Sequence, residues 1–562
     1  MYSYNYDNLK RVANSPKGKE FLKKVERDYL SLYSGKIIPA SNYSLIKLYY
    51  KEGDRAQYER EYFEKRKRLT FLQLLAIKDD CYIDELEEVM SAICDEFTWV
   101  LPAHNYNSNT QTFDRTVIDL FSAETAFYLS ETLFVLGDKL SNDIKYRVKL
   151  SVEDKIIKNY ESRTFWWERC HSNWASVCGL GVGLSYLYLF PERYEAIKDR
   201  LETCFENYLS GIDEEGYCYE GLAYWGYGFT FFMLFYEVYV TFNSRPEILD
   251  REKVYKLISY PLVSQMDKGV YIPFADGGCR YYDINRHLPC FYVIKKLYGD
   301  KFNYPIKVDE KCLTTNGKAL GFRFLLALEC ENEVEYVEEN KNVYYKYAEV
   351  LLYKNKNYSF VAKSGNNKEL HNHNDIGVFQ IVKDSKRLIV DIGAARYTKN
   401  YFIQSEKYKE DIFVCGSMSH SVPIIDNKYQ EYGEEYVGKV LEVTKNTFEV
   451  DITNAYAKGD HFVKVRYELK DKGVHVKYTF SGIKDNIVFR FVSEYEPTLR
   501  NNEVVVENMT ITSKNGIIPK FGKGEYLSHL RSNILEEERG KAFLIDYTVK
   551  ANSGEEEFYF EI

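Results

Sequence analysis

The chain has 562 residues, of which 45% are hydrophobic and 28% charged, with a formal net charge of −9. That length is room for roughly two to four domains with ample core, and the acidic balance excludes an all-over basic nucleic-acid binder. No run approaches the roughly 18 consecutive apolar residues of a membrane span.

The N-terminus, Met1 to Lys10, has no basic segment followed by an apolar one, so no signal peptide is expected and a cytoplasmic location is the working assignment. Eleven cysteines are scattered without a CxxC pair, which fits buried thiols in a reducing compartment. Aromatics make up 16% of the chain, led by 52 tyrosines. Such a surplus serves either sugar-ring binding or core filling.

From about residue 10 to 330 apolar residues recur at steps of three and four, as in Leu86, Val89, Met90, Ile93 and Phe97. That spacing marks one face of a helix. Asp119 to Leu140 and Trp174 to Leu189 read the same way, and the breaks at Leu101-Pro102 and Phe190-Pro191 suggest stacked helical hairpins. After about 340 the period becomes two. Val463 to Leu469 alternates apolar and charged positions, Asp471-Lys472-Gly473 turns the chain, and Val474 to Phe480 alternates again, which is a hairpin with one wet face. Lys439 to Ile452 and Asn486 to Ser493 extend the pattern toward a large antiparallel sandwich. The stretch Glu329 to Asn342 separates the two regimes, giving a helical domain over 1–335 and a sandwich over 336–562.

Four segments carry candidate chemistry. Phe97 to His104 places Trp99 and His104 beside a proline; alone, it reads as a helix end with a packed tryptophan. Cys170-His171-Ser172-Asn173-Trp174 opens a small-residue helix, where Ser172 or Asn173 serves as a cap or, alternatively, meets a carboxylate. Asp213 to Gly228 crowds acidic residues, glycines and aromatics, Glu220, Tyr224, Trp225 and Tyr227 among them, ahead of an apolar helix. It reads as a cleft lining or as a turn before that helix. The fourth, His371-Asn-His373-Asn-Asp375, is followed by Asp391 one strand later. Two histidines and two carboxylates so placed make a metal or a proton-transfer site. Nitrogen and oxygen ligands without cysteine suit zinc, with His420 as third histidine. On a regular strand His371 and His373 share one face, so separate roles for them require a bend or bulge here, or different side-chain rotamers.

In order along the chain, Trp99-x-x-Pro102-x-His104, Asp119 to Thr125, Ser172-Asn173-Trp174, Glu220-Gly221-x-x-Tyr224-Trp225-x-Tyr227-Gly228, His371-x-His373-x-Asp375-x-Gly377-x-Phe379 and Asp391-x-Gly393 resemble the heparinase II/III-like polysaccharide lyases, which include heparin, heparan sulfate and oligoalginate lyases. The resemblance implies an incomplete (α/α) toroid followed by an antiparallel β-sandwich. It also implies β-elimination on uronic-acid glycans. Asn173 matches the family's carboxylate-neutralising asparagine and His371 its catalytic histidine; the catalytic tyrosine is Tyr227 or Tyr224, with Tyr227 favoured by spacing. His373, Asp391 and His420 match the ligands of a structural zinc. Trp99, His104, His171, Trp174, Glu220 and Trp225 become candidates for substrate contact. Trp174 stands where some relatives carry a histidine after the asparagine, and His171 lies two residues before Asn173. The implied partner is an acidic oligo- or polysaccharide, glycosaminoglycan or alginate, with short intracellular oligosaccharides favoured; a homodimer remains open. Two rivals stay in view: an (α/α) toroid hydrolase using Asp213, Glu215 or Glu220, and a non-catalytic glycan-binding or capsule-assembly protein.

Overall fold

Helices dominate the described chain as far as Cys330. The structure, a computed structural model, describes residues 5–38, 56–105, 114–277, 284–302, 320–332, 340–394, 413–527 and 539–562, with isolated positions between 304 and 313. The helices that build the site are α1 (Ile83–Cys94), α2 (Leu120–Leu136), α3 (Asn173–Leu189), α4 (Lys198–Ser210) and α5 (Leu222–Phe242). α1 stops at Cys94, so Phe97 lies beyond it and is 64% exposed, contrary to the helical reading of that residue. α2 is capped by Asp119, whose Oδ1 accepts from Ser122 N at 2.7 Å while the Ser122 hydroxyl accepts from Asp119 N at 2.9 Å. Such a reciprocal cap satisfies two otherwise orphaned backbone donors.

The glycines of α3 explain how it sits at the centre. A Cβ at Gly181 would lie 2.2 Å from the Ala123 carbonyl oxygen of α2, so only glycine allows the two helices to approach this closely. α2 and α5 both pack on α3. The helical interior also holds buried charge. Arg323 donates to Glu131 at 2.6 Å and to Glu237 at 2.9 Å, and Lys296 reaches Glu237 at 3.0 Å, all but the lysine fully enclosed.

From Lys341 onward the described strands pair antiparallel. After a short hairpin in the helical part, β1 (Gln265–Asp267) and β2 (Val270–Tyr271), come β3 (Lys341–Tyr345), β4 (Val350–Lys354), β5 (Ser359–Lys363), β6 (Asn366–Asn367), β7 (Phe379–Lys383) and β8 (Lys386–Ile389). β3, β4, β5, β7 and β8 form a five-stranded sheet in that order. An eight-stranded sheet contains the predicted hairpin as Phe462–Lys470 paired with Gly473–Ser481, with Lys470 opposite Gly473 and alternate side chains buried along both strands. A four-stranded sheet includes Ile487–Ser493. Apolar residues of all three sheets, among them Phe360, Phe379, Tyr467, Phe491 and Ile545, share one core.

A second core runs across the junction, joining helical residues to Leu352, Val361 and Val382 of the five-stranded sheet and to Val378 just before β7. The β1–β2 hairpin is docked there: Ser359 Oγ donates to Met266 O at 2.6 Å and Ser385 N to Asp267 Oδ2 at 2.8 Å. The helical and sheet parts therefore meet over packed surface. The boundary expected at 335/336 lies outside the described residues. Nine cysteines are free thiols, mostly buried, whereas Cys279 and Cys312 fall outside the described residues.

Candidate active site at the junction of helices and sheets

The histidine cluster lies on the connection between β6 and β7, which is irregular rather than a strand. His371 has φ +55° and Gly377 φ +85°, so the anticipated bend is present and is sharper than a bulge. For a non-glycine residue the left-handed region costs about 1 kcal/mol or more and persists only where neighbours enforce it. They do so here. Gln430 clamps Ile376 through both its amide groups at 2.8 Å, Ser417 Oγ donates to Asn374 O at 2.7 Å, and Lys363 pairs with Asp375 at 2.7 Å in the interior.

His371 leaves this loop toward the helices. Its Nε2 lies 3.4 Å from Glu220 Oε1, and its ring stacks on Tyr224 with centroids 4.1 Å apart and planes at 26°. Asn173, the first residue of α3 and 2% exposed, donates from Nδ2 to the same Glu220 oxygen at 2.9 Å, with its backbone N–H 3.4 Å from Oε2. Its Oδ1 is buried without a protein partner. Neither Ser172 nor Asn173 caps α3 with its side chain; the asparagine meets a carboxylate instead. The third segment is also rearranged: Gly221, at φ +86°, is the N-cap of α5, so Tyr224 and Tyr227 stand on its first turns rather than ahead of it.

His373 turns the opposite way. With Asp391 and His420 it forms a fully buried triad whose candidate ligand atoms lie within 4.8 Å of one another. Each residue has its outer atom occupied: His373 Nε2 bonds Asp276 Oδ1 at 3.2 Å, His420 Nε2 bonds Val414 O at 3.1 Å, and Asp391 Oδ1 accepts from Gly393 N at 3.0 Å. The atoms left over are His373 Nδ1, His420 Nδ1 and Asp391 Oδ2, buried without hydrogen-bond partners. Three acceptors facing one another in the interior repel unless a cation or proton lies between them. His420 Nδ1 to Asp391 Oδ2 is 3.4 Å, about the edge of a tetrahedron whose ligands stand about 2.0–2.1 Å from a central ion. The donor set and its occupied outer partners fit a metal ion. With a proton in its place, burial works against ionising both groups. Their mutual attraction prevails, and the Asp391 carboxyl is held below the usual range while the His420 imidazole is lifted above it.

One carboxylate links the two histidines. Asp276, from the turn after β2, is 2% exposed; its Oδ2 is 2.8 Å from His371 Nδ1, and its backbone N–H donates to His371 O at 3.2 Å. Burial opposes its charge, yet the bonds from His371 and then His373 hold it well below the ordinary aspartate range.

No protein-family profile and no curated protein matches the chain in sequence. Solved structures do match over its whole length. Heparinase III aligns at 13% identity over 94% of this chain and 79% of its own, with a TM-score of 0.61. Heparan sulfate lyase HepC from Pedobacter heparinus aligns at 11% over 99% and 88%, TM-score 0.56. A chondroitin AC lyase from Streptomyces coelicolor aligns at 7% over 99% and 82%, TM-score 0.56. The chain has the heparinase III fold. In that fold the helical part comes first and the β part second, matching the order seen here.

Within the heparinase III fold, several residues expected at the substrate surface lie elsewhere. Trp99 and Trp225 are 1% and 0% exposed, and their indole N–H groups donate to Ile93 O at 2.8 Å and Leu257 O at 2.9 Å. Both are core residues that a glycan does not reach. His171 faces the end of α4, with Nδ1 2.6 Å from Ser210 Oγ, rather than the asparagine side chain two positions on. Tyr227 donates its hydroxyl to Glu124; burial, then that carboxylate, pushes its phenol well above the ordinary range. Asp213 is used in a turn, accepting from Glu215 N and Tyr217 N at 2.8 and 3.0 Å.

His104 and Trp174 do adjoin the site. Asp119 Oδ2 holds His104 Nδ1 at 2.8 Å, and the imidazole meets Trp174 edge-on with centroids 4.9 Å apart. Trp174 in turn lies 4.8 Å from Trp166, which is 62% exposed. An aromatic ledge thus runs outward from Asn173. Nothing in the pattern of residues distinguishes Trp166 from its neighbour Trp167, which is buried and donates to Ile118 O. Asp276 likewise stands in none of the four candidate segments.

Proposed function

We propose that the chain is a polysaccharide lyase cleaving uronic-acid-containing glycans by β-elimination. The observation that carries this reading is the convergence of Asn173, Glu220 and Tyr224 from the helical part with His371 from the sheet part. The shared fold supports it, and the glycosaminoglycan lyases named above suggest an acidic glycan as substrate. In this reading the helical part is an incomplete (α/α) toroid, the sheets form a β-sandwich, and the cleft between them admits the glycan.

Elimination removes the proton at C5 of the uronate, forms a C4–C5 double bond and expels the oxygen at C4 with its bonding pair, which then takes a proton. The C5 proton is poorly acidic while the adjacent carboxylate keeps its charge. The Asn173 carboxamide, fixed by Glu220, supplies a neutral donor to that carboxylate and stabilises the enolate-like transition state. Tyr224 and His371, in ring contact, divide the two proton transfers. Tyr224 replaces Tyr227 in this role because the Tyr227 hydroxyl is committed to Glu124. The Trp174–Trp166 ledge takes a neighbouring sugar ring by stacking. The triad His373, Asp391 and His420 would hold zinc, which supplies a rigid cross-link behind the loop bearing His371. Asp213 accepts within its turn and Glu220 accepts from Asn173, which favours the elimination reading over a hydrolytic carboxylate pair drawn from Asp213, Glu215 and Glu220.

A panel of uronic-acid oligosaccharides, sulfated and unsulfated, should yield product absorbing in the ultraviolet with at least one member. Asn173→Ala and His371→Ala should each lower turnover by about 100-fold or more. Release of reducing ends without ultraviolet absorbance would contradict the proposal.

A further inference from the structure

His371 and His373 are two residues apart yet face different chemistry, and the group between them comes from another part of the fold. Asp276 follows the β1–β2 hairpin, which packs against the five-stranded sheet, and it makes three bonds to the histidine loop. Its backbone N–H holds His371 O at 3.2 Å, Oδ2 holds His371 Nδ1 at 2.8 Å, and Oδ1 holds His373 Nε2 at 3.2 Å. The residues on either side of this contact are strained in the same sense: Ala275 has φ +60° and His371 φ +55°. Strain of this kind survives where surrounding bonds over-determine it.

The chemistry of the carboxylate fixes more than position. An ionised carboxylate only accepts, so each imidazole nitrogen facing Asp276 carries the proton. His371 then bears hydrogen on Nδ1 and turns Nε2 toward Glu220. His373 bears hydrogen on Nε2 and turns a bare Nδ1 toward Asp391 and His420. We infer that Asp276 is a positioning residue that sets the orientation and proton placement of both imidazoles, joining the candidate catalytic histidine to the metal triad through one carboxylate. The inference rests on the proposed lyase reaction for His371 and on the metal reading for His373. An ion held by the triad would then bear on the reaction without touching the glycan, because His373 shares its anchor with His371.

A carboxamide cannot replace this carboxylate. The side chain introduced by Asp276→Asn would offer one acceptor and one donor, so at least one imidazole would either meet a donor facing its own N–H or move that proton to its other nitrogen. The experiment compares wild type, Asp276→Asn and Asp276→Ala in two assays. Zinc affinity is read by competition with a chromophoric chelator, and kcat and KM are read on the best oligosaccharide of the panel. Asp276→Ala should weaken zinc by about 10- to 100-fold and lower kcat by a similar factor, with KM within threefold because Asp276 does not touch the glycan. Asp276→Asn should lose at least one of the two properties while its melting temperature shows it folded. The inference is overturned if both variants keep zinc affinity and kcat within threefold of wild type, or if wild type takes up no zinc. A wild type without turnover on any glycan refutes the lyase proposal instead, and the zinc affinities of the three proteins then decide the role of Asp276. If Asp276→Ala does not fold, the isosteric Asp276→Asn decides both arms.

Discussion

Replacing Glu369 by glutamine should stabilise the protein at alkaline pH and do little at pH 5. Glu369 lies two residues before His371, on the loop that carries the cluster. Burial lifts its carboxyl; Lys363 opposes that lift and Asp375 adds to it, leaving the group at about 7. A carboxyl raised in the folded state holds its proton more tightly there than in the unfolded chain. Its favourable contribution is complete below the ordinary glutamate range near 4.5 and is lost as pH rises through about 7. Each pKa unit is worth about 1.4 kcal/mol, so a fully enclosed group would lose about 3 kcal/mol over that window. Glu369 keeps part of its surface in solvent, and screening brings the expected loss to about 2 kcal/mol. Glu369→Gln is neutral throughout. Urea midpoints measured from pH 5 to 8.5 should show the variant gaining on wild type as pH rises, with most of the gain between pH 5.5 and 7.5. A difference that does not change with pH, or a variant that loses ground above pH 7, would refute the reasoning.

Tyr224→Phe should lower kcat by about 100-fold or more, whereas Tyr227→Phe should act chiefly on melting temperature; steady-state kinetics of the pair reads this, and the reverse order would return the role to Tyr227. Trp166→Ala should raise KM about fivefold for oligosaccharides long enough to cover the ledge, with kcat unchanged, from loss of an aromatic face worth about 1 kcal/mol; an unchanged KM across chain lengths would remove the ledge from the substrate path. Arg323→Met should destabilise the helical part by about 3–5 kcal/mol, because it removes the buried cation that Glu131 and Glu237 share and leaves Lys296 alone to balance Glu237. Melting temperature tests that, and a stable variant would show these carboxylates to be protonated or rehydrated.

The change of period near residue 340 made the order of the two parts legible, because helix and strand faces repeat at 3.6 and 2 residues whatever their tertiary partners. The hairpin around Asp471 to Gly473 was visible for the same reason. Which aromatic faces solvent was not. Trp99 and Trp225 look like glycan-binding residues in their motifs, yet their N–H groups find backbone carbonyls in the core. Exposure depends on what packs above a residue, and that is set by distant chain. The histidine cluster was conspicuous from its density, but its divergence depends on Asp276, about a hundred residues earlier in the sequence and brought near by the docking of β1 and β2. The choice between Tyr224 and Tyr227 also lay beyond spacing, since both sit on the first turns of α5 and their distant partners, His371 for Tyr224 and Glu124 for Tyr227, separate them.

The central claim is that residues of the helical and sheet parts together carry out an elimination. Mass spectrometry of the product formed from a defined uronic-acid oligosaccharide in ¹⁸O-labelled water tests it most directly. The account predicts two fragments that together weigh no more than the substrate, one carrying a C4–C5 double bond, with no ¹⁸O beyond what free reducing ends exchange with the solvent. Fragments that together gain one water and retain the label would show hydrolysis and contradict it.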